Sequence, residues 1–264
     1  MTSSRALPGT DHVVDGVRLH IVSYGNGAGL PLLFVHGVAG SSHLWSQVQR
    51  ALGHRHVSHA VDLVGCGASE APVGRGYDLA TQAQTLLGLL ESLEVERVVV
   101  VAHDVGGGAA VHMAALAPDR IAALVCTGTP LHVDAWPATT LRELATPVVS
   151  RVTGLRDPDS DSARAAAARR FARAIDPTAV ESAYRIVCAA PPPALVVWGN
   201  DDKRLSPAYG RRIAADVGGT FVAVMDAGHD LPRTRPERLA EETEAWLADL
   251  STDQHAALPG DDLR

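Results

Sequence analysis

Hydrophobic positions along this chain fall into two alternating patterns. Short apolar, β-branched runs at residues 32–35, 57–61, 98–102, 121–127, 194–198 and 220–225 have the length and composition of strands in a buried sheet. Between them lie segments with helical periodicity, at 42–52, 79–93, 236–250 and in the Ala-rich stretch that follows residue 106 and ends near Pro118. Asp78 stands where the helix at 79–93 needs an N-cap acceptor. Two further strands, at 12–14 and 17–22, flank Asp15-Gly16, a hairpin dipeptide. Strands alternating with helices predict an α/β fold with a mostly parallel central sheet and helices on both faces.

From residue 130 to 193 the alternation stops. A polar stretch at 156–161 is followed by an Ala/Arg-rich helix at 163–174 and a further helix at 180–189, before Pro191-Pro192-Pro193 leads back to the sheet. This predicts a small helical cap over 130–193, inserted into a core of 11–129 and 194–250, with flexible tails at 1–10 and 251–264. No apolar run approaches membrane-spanning length, and the first eleven residues lack the apolar segment of a signal peptide.

Composition narrows the partners. A chain of 264 residues is ample for one large core. Its net charge of −7 argues against nucleic acid or an anionic membrane. Lys203 is the only lysine among 23 Lys and Arg residues, and the high Ala and Gly content matches a bacterial, GC-rich coding sequence. The three scattered cysteines, Cys66, Cys126 and Cys188, suit a reducing cytoplasm and have no zinc-ligand spacing. The expectation is a cytoplasmic monomer or homodimer with no metal and no cofactor, acting on a small apolar molecule.

The chemistry concentrates at Val98-Val99-Val100-Val101-Ala102-His103-Asp104-Val105-Gly106. A strand ends, a residue sits between small neighbours two before and two after it, and a helix begins. This is a strand-to-helix elbow that thrusts the central side chain into the open. Here that side chain is the carboxylate of Asp104. A carboxylate attacking an ester would give an anhydride, whereas at a saturated carbon it displaces a leaving group and forms an alkyl ester. Downstream lie an acid-bearing loop, Gly199-Asn200-Asp201-Asp202, and Gly228-His229 after the last strand. Nucleophile, acid and histidine follow in that order. The Gly-x-x-Asp spacing favours Asp202 over Asp201, and no acid directly follows the strand at 121–127. Gly106-Gly107-Gly108 lacks the register of a nucleotide-binding loop.

With His36-Gly37 and the Asp62…Gly65-x-Gly67-x-Ser69 loop, these motifs make the chain resemble the α/β-hydrolase fold superfamily over nearly its whole length. The Asp at the elbow resembles the epoxide hydrolase and haloalkane dehalogenase branch. The resemblance implies that Asp104 attacks carbon, that His229 activates the water that hydrolyses the ester, and that Asp202 orients His229. It further implies an oxyanion hole made by the backbone N–H groups of Val38 and Val105. Where dehalogenases of this type carry Trp after the nucleophile and Asn after His-Gly, this chain has Val105 and Val38, which offer no side-chain donor to a halide. An epoxide is therefore the expected electrophile, with haloalkane hydrolysis, or acid/base elimination, isomerisation or cyclisation, as alternatives. An epoxide needs a leaving-group acid, and the cap offers Tyr184, Trp136 and His132. Asp104 as a mere helix cap, or the whole fold as a ligand-binding scaffold, fits less well with an acid and a histidine in the right order.

Overall fold

In the computed structural model, residues 7–38, 40–136 and 163–256 are described. Eight strands form one sheet: β1 (Thr10–Val14), β2 (Val17–Tyr24), β3 (Gly29–Val35), β4 (His56–Val61), β5 (Val98–His103), β6 (Ile121–Thr127), β7 (Ala194–Gly199) and β8 (Thr220–Val224). Their order across the sheet is β1-β2-β4-β3-β5-β6-β7-β8. β1 and β2 run antiparallel to their neighbours, and every pair from β4 to β8 is parallel. The hairpin turns at Asp15 and Gly16, both at positive φ.

The longer described helices are α1 (Ser46–Leu52), α2 (Leu79–Ser92), α3 (Gly106–Leu116), α4 (Ala163–Ala174), α5 (Pro177–Ala189), α6 (Pro207–Val217) and α7 (Pro236–Ala256). Asp78 caps α2, accepting from Thr81 N at 2.9 Å. The continuous apolar strands divide their side chains between two cores by simple alternation. Leu33, Val35, Val98, Val100, Val196 and Trp198 join a cluster that includes residues of α2, α3, α5 and α6. Leu32, Phe34, Val99, Val101, Leu195 and Val197 join the other, against α1 and α7. A strand buried on both faces needs this unbroken apolar composition.

Helix α3 is buried along most of its length and lies between α2 and α5. Its small first residues permit that approach. A Cβ on Gly106 would stand 2.6 Å from the His36 carbonyl oxygen, and one on Gly108 would stand 3.1 Å from Val180.

The structure differs from the sequence reading in three places. Helix α5, expected in the cap, packs on α3, and its Val180, Ala183, Tyr184 and Val187 belong to the sheet's own core. The missing side chain of Gly108 lets Val180 of α5 approach α3 closely. Helix α6 was not anticipated, although Ser206-Pro207 is a helix-start signal and Ser206 does cap it. Its few buried residues, Gly210, Ile213 and Ala214, leave little apolar periodicity to read. Strand β1 begins at Thr10 and helix α7 continues to Ala256, so part of each expected tail is regular structure. Residues 137–162 of the expected cap lie outside the described residues. Among the described residues, no helix is long and apolar enough to cross a membrane.

Candidate active site

Parallel strands open their C-terminal ends on one edge of the sheet, and the loops there collect the chemistry. Asp104 follows β5 directly and has φ +54°, the left-handed conformation that a tight elbow forces on its central residue. Its N–H donates to Thr127 O at 3.2 Å, and its carbonyl accepts from Gly107 N at 3.1 Å as α3 begins. Asp104 and its neighbour Gly37 are in close approach, since a Cβ on Gly37 would lie 2.3 Å from Asp104 Oδ2. The Asp104 side chain is 28% exposed, open enough to meet a substrate.

His229 follows β8 and is 10% exposed. Its Nδ1 lies 2.9 Å from Asp202 Oδ2, and its Nε2 lies 3.7 Å from Asp104 Oδ1. The first distance is a hydrogen bond; the second is too long for one and is an ion-pair approach. Asp202 is 1% exposed, and its Oδ1 accepts from the backbone N–H of Arg204 at 2.8 Å and of Leu205 at 2.9 Å. Those bonds hold the carboxylate still and leave Oδ2 for the imidazole. The structure thus pairs His229 with Asp202; Asp201 is exposed.

The charges support one another. Burial alone would lower His229, but the carboxylates of Asp104 and Asp202 outweigh it and raise the imidazole to about 9. Burial opposes ionisation of Asp104, yet His229, with smaller help from His103 and the N–H of Val105, holds its carboxyl below the usual range. At neutral pH the raised imidazole is protonated and faces the ionised Asp104.

His36-Gly37 and the Asp62 loop turn out to be one scaffold. His36 Nε2 accepts from Leu63 N at 3.1 Å, so Nδ1 carries the proton and donates to Gly37 O at 2.6 Å. Asp62 accepts from Ser42 N at 2.6 Å and Ala68 N at 2.7 Å. The turn that carries Gly37 and Val38 is thereby tied to the loop after β4. The N–H of Val105 faces the Asp104 carboxylate, where an oxyanion donor belongs.

The three expected leaving-group residues fare differently. The Tyr184 hydroxyl lies 3.3 Å from both Ile213 O and Asp216 Oδ2, on the α6 side of α5, and burial raises its pKa strongly. His132 Nε2 lies 2.8 Å from the same Asp216 Oδ2, and its ring meets Tyr184 edge-on at 5.3 Å. Nε2 of His132 is thus committed to Asp216, and its Nδ1 is buried without a hydrogen-bond partner. The Tyr184 hydroxyl and the His132 imidazole, both expected as candidates for the leaving-group acid, are thus engaged by the same carboxylate of α6. The cause is α5 itself, which turns Tyr184 into the core layer. Trp136 differs, because its Nε1 is buried without a hydrogen-bond partner.

Sequence reasoning missed two contributors. Gly128, at φ +58°, lies beside His229, and a Cβ there would be 3.1 Å from His229 Cε1. His103 reaches the main chain of His229. A small residue after β6 was a legible signal for the first; nothing in the sequence marked the second. Cys126 is a buried thiol pushed up to about 12 by burial, which makes it inert.

Residues 31–174 match the family described as alpha/beta hydrolase fold. The "Uncharacterized hydrolase YugF" of Bacillus subtilis (strain 168) is 25% identical over 262 residues, covering 86% of this chain and 93% of that protein. A haloalkane dehalogenase of Agrobacterium fabrum (strain C58 / ATCC 33970) is 36% identical over 110 residues, or 41% of this chain and 35% of the dehalogenase. The crystal structure of haloalkane dehalogenase DbeA from Bradyrhizobium elkani USDA94 superposes with a TM-score of 0.77 at 22% identity, covering 94% of this chain and all of that one. At that identity the likeness is one of fold.

Proposed function

The chain belongs to the alpha/beta hydrolase fold family, and from that premise we propose that it is a cofactor-independent hydrolase working through a covalent Asp104 ester. The observation that carries this reading is the line Asp104–His229–Asp202, with a carboxylate at the strained elbow and the imidazole spanning both acids. Asp104 attacks a saturated carbon, its C–O bond forms, and the leaving group departs with the bond pair. The ester neutralises Asp104, which removes one of the two charges holding the His229 proton, so Nε2 loses that proton to solvent and becomes a base. His229 Nε2 then accepts a proton from water as that water attacks the ester carbonyl, while Asp202 steadies the imidazolium. The N–H groups of Val105 and Val38 stabilise the oxyanion, and collapse returns the Asp104 carboxylate and an alcohol.

We place an epoxide first as electrophile. Ring strain assists the departure of its oxygen, and neither Val38 nor Val105 brings a side-chain donor for a halide. With Tyr184 and His132 turned to Asp216, the unspent Nε1–H of Trp136 is the donor this reading gives to the leaving oxygen. Halide displacement is the second reading. The orientation of Tyr184 favours it, because a halide leaves without a proton, and so does the similarity to a dehalogenase.

Single-turnover reaction in ¹⁸O water, with enzyme in excess over styrene oxide or 1-bromobutane, tests both readings. Label in the Asp104 carboxylate, read by peptide mass spectrometry, with unlabelled first product is the expected result. Label only in the product would mean direct water attack and would overturn the covalent reading. Diol against bromide release separates the two electrophiles.

A further inference from the structure

His103, directly before Asp104, takes no part in the steps above. It is 5% exposed, and its Nε2 lies 2.9 Å from the main-chain carbonyl oxygen of His229. A carbonyl only accepts, so the proton is on Nε2 and the tautomer is fixed. The two rings lie 5.0 Å apart, tilted by 53°. Gly128 leaves the space between them, with its absent Cβ 3.1 Å from one ring and 3.5 Å from the other. The same His229 carbonyl accepts from Leu231 N at 2.9 Å, which closes the turn that presents the imidazole. Burial keeps His103 below the usual imidazole range, with His229 adding to that against Asp104 and Asp230. The strand that carries the nucleophile therefore grips the backbone of the base across 126 residues of sequence.

We propose that His103 is a positioning residue, whose Nε2–H fixes the main chain at His229 so that the imidazole meets Asp202 and faces Asp104 at once. Its kinetic consequence rests on the covalent reading; its geometric consequence does not. Without the clamp the turn relaxes, and His229 loses the orientation in which one nitrogen is bonded and the other aimed.

The first test needs no substrate. The low-field proton resonance of His229 Nδ1–H, hydrogen-bonded to Asp202, is compared in the wild type, His103→Leu and His103→Gln. The expected result is a sharp resonance in the wild type and in His103→Gln, which keeps a donor, and a broadened or lost one in His103→Leu. Thermal unfolding shows whether each variant is folded. A sharp resonance in folded His103→Leu, or its loss in both variants, would overturn the proposal.

The second test uses styrene oxide or 1-bromobutane, whichever the wild type consumes, with intact mass after quenching. His103→Leu should accumulate the Asp104 ester, because only ester hydrolysis uses His229, and that half-reaction should slow on the order of 10–100-fold. A simple loss of stability would not slow one half-reaction alone. Ester hydrolysis within about two-fold of wild type would count against His103. Absence of any adduct in His229→Ala would instead count against the covalent reading, and the resonance would still decide on His103.

Discussion

Two histidine–aspartate pairs of nearly equal length sit in different regions of this molecule. His229 and Asp202 are 2.9 Å apart at the strand ends, and His132, after β6, and Asp216, on α6, are 2.8 Å apart. In the first pair the aspartate is 1% exposed and locked by two backbone donors; in the second it is 37% exposed and shared with a tyrosine hydroxyl. The larger difference is at the other imidazole nitrogen. For His229 it faces a second carboxylate on a strained elbow, and for His132 it is buried without a partner. A histidine–carboxylate pair is thus a proton-handling device only where the free nitrogen has something to act on. Elsewhere it is a hydrogen bond that ties the segment after β6 to α6.

Asp104→Asn is the strongest way to break the contrast. Asparagine tolerates the left-handed elbow, so far-UV circular dichroism should be unchanged, while turnover falls by at least about 10⁴-fold. Full activity in this variant would leave the elbow pair no more catalytic than the other. Asp202→Asn should lower turnover on the order of 10³–10⁴-fold. Intact mass should then show the Asp104 ester building up, because alkylation does not need His229.

The pH dependence sharpens the comparison further. A histidine raised to about 9 contributes stability that is fully present below 6.5 and is lost as pH rises through about 9. Urea midpoints of the free protein should therefore fall across that window, and less steeply in Asp104→Asn. In the ester intermediate the Asp104 charge is gone. The base should then titrate at least about one unit lower than in the free enzyme, as read from single-turnover hydrolysis against pH.

Gly128→Ala places a Cβ in a left-handed residue and against His229. It should cost about 1 kcal/mol of stability and slow hydrolysis about tenfold, by thermal unfolding and stopped-flow assay. The smallest effect belongs to the second pair. His132→Gln should keep kcat/KM within about three-fold while lowering stability by about 1 kcal/mol. A loss of about a hundredfold would return His132 to the list of leaving-group acids.

The sequence determined the sheet, its mostly parallel sense and the place of Asp104 at the elbow. Strands buried on both faces must be apolar without a break, an elbow must have small neighbours, and a Gly-x-x-Asp loop must follow its strand; these are local demands that leave local marks. Asp78 as a cap and Asp15-Gly16 as a turn were legible for the same reason. Helix α6 was not, because a helix that buries only one small stripe needs little periodicity. Tertiary structure alone decided that α5 lies in the core layer and carries Tyr184 away to Asp216. It alone decided that His103 grips His229 and that His36 ties two loops together. Each of those contacts joins a side chain to a group far away in the chain, and its geometry is set by how strands, loops and helices pack together. No residue's own neighbours record that packing.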